Sequence, residues 1–128
     1  MNPRSPRDQA LEFLLSRVDY ERCLAIPYGQ REFRLKRMSE FLDRLGNPHE
    51  RLRIIHVAGT KGKGSTSAMI AAALSAAGYR TGLYTSPHLE RPEERLMVNG
   101  LPCSADDFVA LIERVQPIVK AQIGRAHV

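Results

Sequence analysis

The chain has 128 residues, 43% hydrophobic and 26% charged, with a formal net charge of +5. That is the composition of one soluble globular domain, long enough to bury a real core. No apolar run approaches a membrane span and the first residues lack a signal-peptide core. Cys23 and Cys103 show no ligand spacing, so two free thiols in a reducing, cytoplasmic setting are expected, rather than a disulfide. The basic excess suits anionic small molecules. Stacking aromatics are scarce and no Lys/Arg block is dense, which argues against a nucleic-acid partner.

Taken in order, Ser5-Pro6-Arg7-Asp8 reads as a helix start, with Ser5 as N-cap, Pro6 at the first helical position and Asp8 in the first turn. Leu11, Leu14, Leu15 and Val18 follow at helical spacing and form one apolar stripe. Tyr20 to Gln30 contains Pro27 and Gly29, has no helical period and reads as loop. A second amphipathic helix is expected from Arg31 to Leu45, with Leu35, Met38, Leu42 and Leu45 inward. Gly46-Asn47-Pro48 stops it.

Arg53 to Ala58 reads as a strand that is apolar on both faces apart from His56, as in a covered parallel sheet. A histidine there is more often structural than catalytic. The run ends abruptly in Gly59-Thr60-Lys61-Gly62-Lys63-Gly64-Ser65-Thr66, three glycines interleaved with two lysines and followed by hydroxyls. An alanine-rich helix is expected from Lys63 to Ala77, closed by Gly78, and then a strand over Thr81 to Thr85. Strand, glycine loop, helix and strand make a right-handed crossover unit with a phosphate-binding turn. Glycines let the backbone bring its N–H groups to an anion, and the helix N-terminus adds positive potential at the same place. Lys63 is the natural cation for outer phosphates, and Ser65 or Thr66 offers a hydroxyl to Mg²⁺. The general P-loop spacing is not met, because Val57 stands where its first glycine belongs and Gly64 where its hydroxyl belongs.

Ligands of open parallel sheets sit at the carboxyl ends of strands. That places Ser86-Pro87-His88-Leu89, directly after the second strand, on the same edge as the glycine loop. Leu96-Met97-Val98 and Leu101-Pro102-Cys103 flank Asn99-Gly100, a hairpin signal, with Pro102 confined to a sheet edge. Ser104-Ala105-Asp106-Asp107 resembles a capping box with Asp in place of Glu. The helix behind it carries Phe108, Leu111, Ile112 and Val115, and Pro117 is expected to end or kink it.

Ala58 to Ser65 resembles the ATP loop of the Mur ligase superfamily, and Gly64 after the lysine is similar to its folate branch, folylpolyglutamate synthase and dihydrofolate synthase. Tyr84-Thr85-Ser86-Pro87-His88-Leu89, Glu94-Arg95 and Asn99-Gly100 resemble that branch's second motif. Tyr28, Phe33, Leu35, Met38 and Leu45-Gly46-Asn47-Pro48 are similar to its N-terminal segment. The resemblance implies an α/β, P-loop-type three-layer αβα fold with a mostly parallel sheet, here the truncated N-terminal part of the ATPase domain. It implies an ADP-forming ligase of folate and one-carbon metabolism. ATP phosphorylates a carboxylate of a folate or dihydropteroate, and the amine of L-glutamate attacks the acyl phosphate. Carried over by position, Gly59, Thr60, Lys61, Gly62, Lys63, Gly64, Ser65 and Thr66 bind ATP, and Lys63 is the catalytic cation. Ser86 ligates Mg²⁺ together with Ser65. Arg31, Glu32, Phe33, Pro87 and His88 line the pteroate side. Lys61 stands where bacterial members more often have Asn.

The resemblance also implies further metal ligands and a glutamate-binding domain beyond this segment, so the chain alone is expected to be an inactive, monomeric fragment. Residues 1–122 form the ligase segment. Ile123 to Val128 breaks the preceding pattern and reads as a common sequencing adapter translated in frame, so these residues are expected to be non-native. The competing readings are a different P-loop enzyme, which needs a downstream Asp-ended strand or a base-specific motif, and a basic nucleic-acid-binding module.

Overall fold

A computed structural model describes residues 4–16, 28–87 and 90–126, and the side chains of 28–33 and 123–126 lie outside that description. The chain divides into two compact units, one formed by residues 1–53 with 109–128 and the other by residues 54–108.

In the first unit, helix α1 (Pro6–Leu15) begins as its sequence dictates. The Asp8 N–H donates to Ser5 Oγ at 3.1 Å, while the Ser5 hydroxyl and N–H donate to Asp8 Oδ2 at 2.8 and 3.2 Å. The buried face centres on Ala10, with Leu11 and Phe13 half-buried, whereas Leu14 and Leu15 are exposed. The expected stripe is therefore displaced, and Val18 falls outside the described residues. Helix α2 (Tyr28–Arg44) starts three residues before the expected boundary and takes in Gly29, which lowers helix propensity by about 1 kcal/mol without barring helical backbone. Phe41 and Leu42 in it and Leu45 just after it are half-buried, but Leu35 and Met38, expected inward, are 72% and 55% exposed. The stop is as expected. Gly46 and Asn47 are left-handed (φ 79° and 49°), and the Asn47 N–H reaches the Leu42 carbonyl at 2.9 Å, satisfying a helix-end acceptor. A short 3₁₀ turn, Pro48–Arg51, follows.

The second unit carries helix α3 (Lys63–Ala76) and strands β1 (Gly82–Tyr84), β2 (Leu96–Val98) and β3 (Leu101–Pro102). Residues 53–58 form no strand ladder, and Ile54 and Ile55 are 67% and 61% exposed. A lone apolar segment becomes a strand only when a neighbour takes its backbone groups, and none does so among the described residues. The α/β class stands, whereas no parallel pairing is seen among the described residues: the described pairs, β1 with β2 and β2 with β3, are both antiparallel. α3 packs against β1. Its half-buried face is Ser67, Ile70, Ala71, Leu74 and Ser75, so most of its alanines face outward instead of toward the sheet. Gly78, left-handed at φ 92°, closes the helix.

Asn99 and Gly100 (φ 50° and 77°) make the two-residue turn between β2 and β3, and Pro102 sits on the edge strand, both as expected. Helix α4 (Ala105–Ala126) has its first turn in the second unit and the rest in the first. Its Asp107 N–H donates to Ser104 Oγ at 3.1 Å. Pro117 does not end it. The residue is exposed, while Ile112, Val115, Ile118 and Val119 are half-buried on either side. A proline on the solvent side loses one helix hydrogen bond without breaking the inward face. The helix runs on through Gln122, whose Nε2 donates to the Arg37 carbonyl at 3.1 Å, to Ala126. The backbone thus marks no boundary at residue 122.

Two predictions follow from these ends. The Ser5 hydroxyl, then the Ser5 N–H, hold the Asp8 carboxyl below its ordinary value of 3.8. A folded value below the unfolded one contributes stability that is full above the ordinary value and is lost as pH falls through the lower one. An NMR titration of Asp8 should show a midpoint below 3.8 that returns toward it in Ser5→Ala, with α1 fraying on acidification at lower pH than in the variant. Gly62 is the left-handed N-cap of α3 (φ 73°), whereas Gly64 is helical and a Cβ there meets nothing within 4 Å. Urea unfolding should show Gly62→Ala destabilised by about 1–2 kcal/mol, and Gly64→Ala unchanged or stabilised by up to about 1 kcal/mol.

Candidate functional site

The second unit contains the glycine loop, α3, β1 and Ser86. Gly59, Thr60 and Lys61 are exposed and lie ahead of α3; Gly62 turns the backbone into the helix, and Lys63, Gly64, Ser65 and Thr66 form its first turn. The first intrahelical bond is Thr66 N–H to the Gly62 carbonyl at 2.9 Å. No hydrogen bond among the described residues uses the N–H of Lys63, Gly64 or Ser65. Three adjacent donors therefore point out of the start of an exposed fourteen-residue helix.

Lys63 curls back over the loop, its Nζ donating to the Gly59 carbonyl at 2.7 Å. Its aliphatic stem covers the turn, since a Cβ on Gly59 would lie 3.9 Å from Lys63 Cγ. The bond closes a ring from Gly59 to Lys63 and holds the ammonium against the glycine loop. Ser67 is not available to a ligand in the same way, because its hydroxyl donates to the Lys63 carbonyl at 2.8 Å. No hydrogen bond among the described residues uses the hydroxyl of Ser65 or Ser86.

Ser86 follows β1 and is exposed, as is Pro87, with the Ser86–Pro87 peptide cis. β1 is fixed at both ends. The Thr85 N–H donates to the Arg95 carbonyl at 3.2 Å, and Thr81 exchanges hydrogen bonds with Asn99. The segment between Ser86 and β2 is braced by Glu94, whose carboxylate accepts from the Arg91 N–H at 3.2 Å and the Glu90 N–H at 3.4 Å. The neighbouring Glu93 is buried, with Arg91 3.7 Å away.

The two halves of the expected phosphate and metal site thus belong to one unit. The expected pteroate side lies largely outside the described residues. Arg31, Glu32 and Phe33 lie on α2 in the first unit with side chains outside the described residues, and His88 lies outside them altogether. His56 is exposed. Cys103 is a free thiol pushed up by burial and then by the carboxylates of Asp107 and Glu93, which favours its protonated form. Cys23 lies outside the described residues. Sequence reasoning took Asn99 for a turn residue and part of the second motif, and missed its side-chain bond to Thr81. It also missed the bracing role of Glu94, which the spacing Arg91-Pro92-Glu93-Glu94 signals as a helix-start pattern.

The site's chemistry fits a phosphate ester with a divalent cation. Among the described residues no group of three His, Cys, Asp or Glu side chains stands ready for a metal. The oxygen donors beside the loop are hydroxyls, which suit Mg²⁺ held mainly by phosphate oxygens and water.

No protein-family model matches the chain. It is 43% identical over 98 residues to the dihydrofolate synthase/folylpolyglutamate synthase of Bacillus subtilis, covering 73% of this chain and 23% of that protein. It is 42% identical over 90 residues to the human mitochondrial folylpolyglutamate synthase, covering 68% of this chain and 15% of that one. Among solved structures, a folylpolyglutamate synthase complex with AMPPCP and folate is similar with a TM-score of 0.79 and 30% identity, over 94% of this chain and 27% of the other. The Mycobacterium tuberculosis folylpolyglutamate synthase complexed with ADP gives a TM-score of 0.74 and 35% identity, over 94% of this chain and 25% of the other. The chain thus spans about a quarter or less of the length of these relatives. Over that span, sequence and fold agree that the chain belongs to the folylpolyglutamate synthase/dihydrofolate synthase family.

Proposed function

We propose that this chain is the ATP-binding, N-terminal part of a cytoplasmic, ADP-forming ligase that joins L-glutamate to a carboxylate of a folate or dihydropteroate. The observation that carries the reading is the ring closed by Lys63 and Gly59 beside three open N–H groups at the start of α3. Family membership supports it, as do the relatives solved with AMPPCP, ADP and folate.

In the reaction, a substrate carboxylate oxygen forms a bond to the γ-phosphorus as the bond to the bridging oxygen breaks and ADP leaves. The glutamate amine then forms the C–N bond at the acyl carbon, loses its proton, and phosphate departs. Gly59, Thr60, Lys61 and Gly62 shape the turn around the phosphates. The N–H groups of Lys63, Gly64 and Ser65 and the ammonium of Lys63 balance negative charge on the transferring group, and Thr66 completes the turn. Ser65 and Ser86 are the residues that hold Mg²⁺, which when bound neutralises phosphate charge. Lys63 must release the Gly59 carbonyl, or share its proton donors, to meet the phosphates. Arg31, Glu32, Phe33, Pro87 and His88 serve the pteroate side. Residues 1–122 are the family segment, and residues 123–128 are an addition foreign to it. No described helix is long and apolar enough to cross a membrane, in keeping with a cytoplasmic enzyme, and the chain acts as a monomer on small molecules without nucleic acid. Taken by itself, this segment binds nucleotide but does not turn over.

Calorimetric titration of the chain with AMPPCP and Mg²⁺ should show binding that Lys63→Ala weakens by about 10- to 100-fold, the worth of a charge-assisted hydrogen bond. Incubation with ATP, tetrahydrofolate or dihydropteroate, and glutamate should release no glutamate-dependent ADP. Absence of nucleotide binding would overturn the assignment, and glutamate-dependent turnover would overturn the inactivity of this segment.

A further inference from the structure

We infer that Asn99 is a positioning residue for the Ser86 hydroxyl, acting by fixing the register of β1; the inference rests on the reading of Ser86 as a metal ligand given above. Asn99 engages both backbone groups of Thr81. Its Oδ1 accepts from the Thr81 N–H at 2.9 Å, and its own N–H donates to the Thr81 carbonyl at 2.9 Å. These bonds add a rung to the ladder beyond the pair Gly82↔Val98, at the end of β1 opposite Ser86.

The rung matters because the side-chain pattern of β1 specifies its register weakly. β1 has three residues, and of these Gly82 and Tyr84 are exposed while only Leu83 is half-buried. A strand with one inward side chain and a glycine is weakly specified by its apolar pattern. It lies at one side of the sheet, with β2 as its partner. Polar contacts at its two ends therefore hold it: Asn99 at Thr81, and the Arg95 carbonyl at the Thr85 N–H. A slip of one residue would carry Ser86 about 3.3 Å along the strand and turn its side chain to the other face. Mg²⁺ demands oxygen at about 2.0–2.1 Å in near-octahedral geometry, so a slipped Ser86 does not bind it.

The double use of Asn99 separates this role from the turn. Position 99 needs a left-handed residue (φ 50°), which Asn, Asp and Gly all supply. Only Asn and Asp also carry an acceptor for the Thr81 N–H. The full chain, Asn99→Asp and Asn99→Gly should be titrated with AMPPCP with and without Mg²⁺, with circular dichroism as the check on folding. The expected result is that Asn99→Asp keeps the Mg²⁺-dependent gain in affinity to within about twofold, whereas Asn99→Gly loses about five- to tenfold of it, as when a single bond is lost. Metal-free affinity should change little in either, which a merely structural defect would not spare. A Mg²⁺ gain retained in Asn99→Gly, one lost in a folded Asn99→Asp, or equal losses with and without metal would each overturn the inference. If Asn99→Gly does not fold, Asn99→Asp decides. Nucleotide binding by the unsubstituted chain that ignores Mg²⁺ overturns the role of Ser86 and this inference while the ATP reading stands; no binding at all overturns both.

Discussion

The left-handed turn at Gly62 is the constraint on which the rest of this site depends. At φ 73° the backbone reverses sharply enough for α3 to begin at the very next residue. Because the cap is a glycine, no side chain competes for the first-turn N–H groups, and a serine or aspartate N-cap would have used one of them. Helix α1 makes the contrast, since Ser5 and Asp8 there satisfy each other in a closed box. One helix start is built for stability and the other is left open. The open one carries the lysine, whose ammonium is held at the Gly59 carbonyl of the same loop.

That arrangement was largely legible before any coordinates. Glycines, lysines and hydroxyls in that order specify an anion turn by backbone chemistry that needs no distant contact. The same holds for the caps at Ser5 and Ser104, the stop at Gly46-Asn47 and the Asn99-Gly100 turn, each confirmed by its own hydrogen bonds. Features that depend on what lies across space were less legible. Residues 53–58 have the composition of a buried strand yet pair with nothing described, because a ladder is a property of two segments. Leu35, Met38, Leu14 and Leu15 have helical spacing, but spacing cannot say whether a neighbour covers the stripe. Pro117 lies inside α4 rather than at its end for a related reason: whether an interior proline stops a helix depends on which face it occupies. The substrate-side residues Arg31, Glu32, Phe33 and His88 stay at the level of resemblance, since the described structure places no ligand group around them.

The described core is thin. Ala10 and Phe108 are the buried apolar residues, and Ile54, Ile55, Met69 and Leu35 are each more than 60% exposed. Apolar burial is the main favourable term in folding, so local devices such as caps, turns and the Asn99 rung take a larger share in setting local geometry. This is why a single side chain at the far end of a three-residue strand has leverage on a hydroxyl at the near end. The same economy explains Gly64. It costs the free helix some stability and avoids no clash within the chain, and under the proposed function that open space accommodates a phosphate.

The central claim is that residues 59–66 form a nucleotide-binding loop whose donors are open until ligand arrives. Amide hydrogen exchange on the intact chain, with and without AMPPCP and Mg²⁺, tests it most directly because it reads those N–H groups one by one. Slowed exchange is expected at Lys63, Gly64 and Ser65, with α1 unchanged. Nucleotide-induced protection that bypasses these three amides, or none anywhere in the chain, would contradict it.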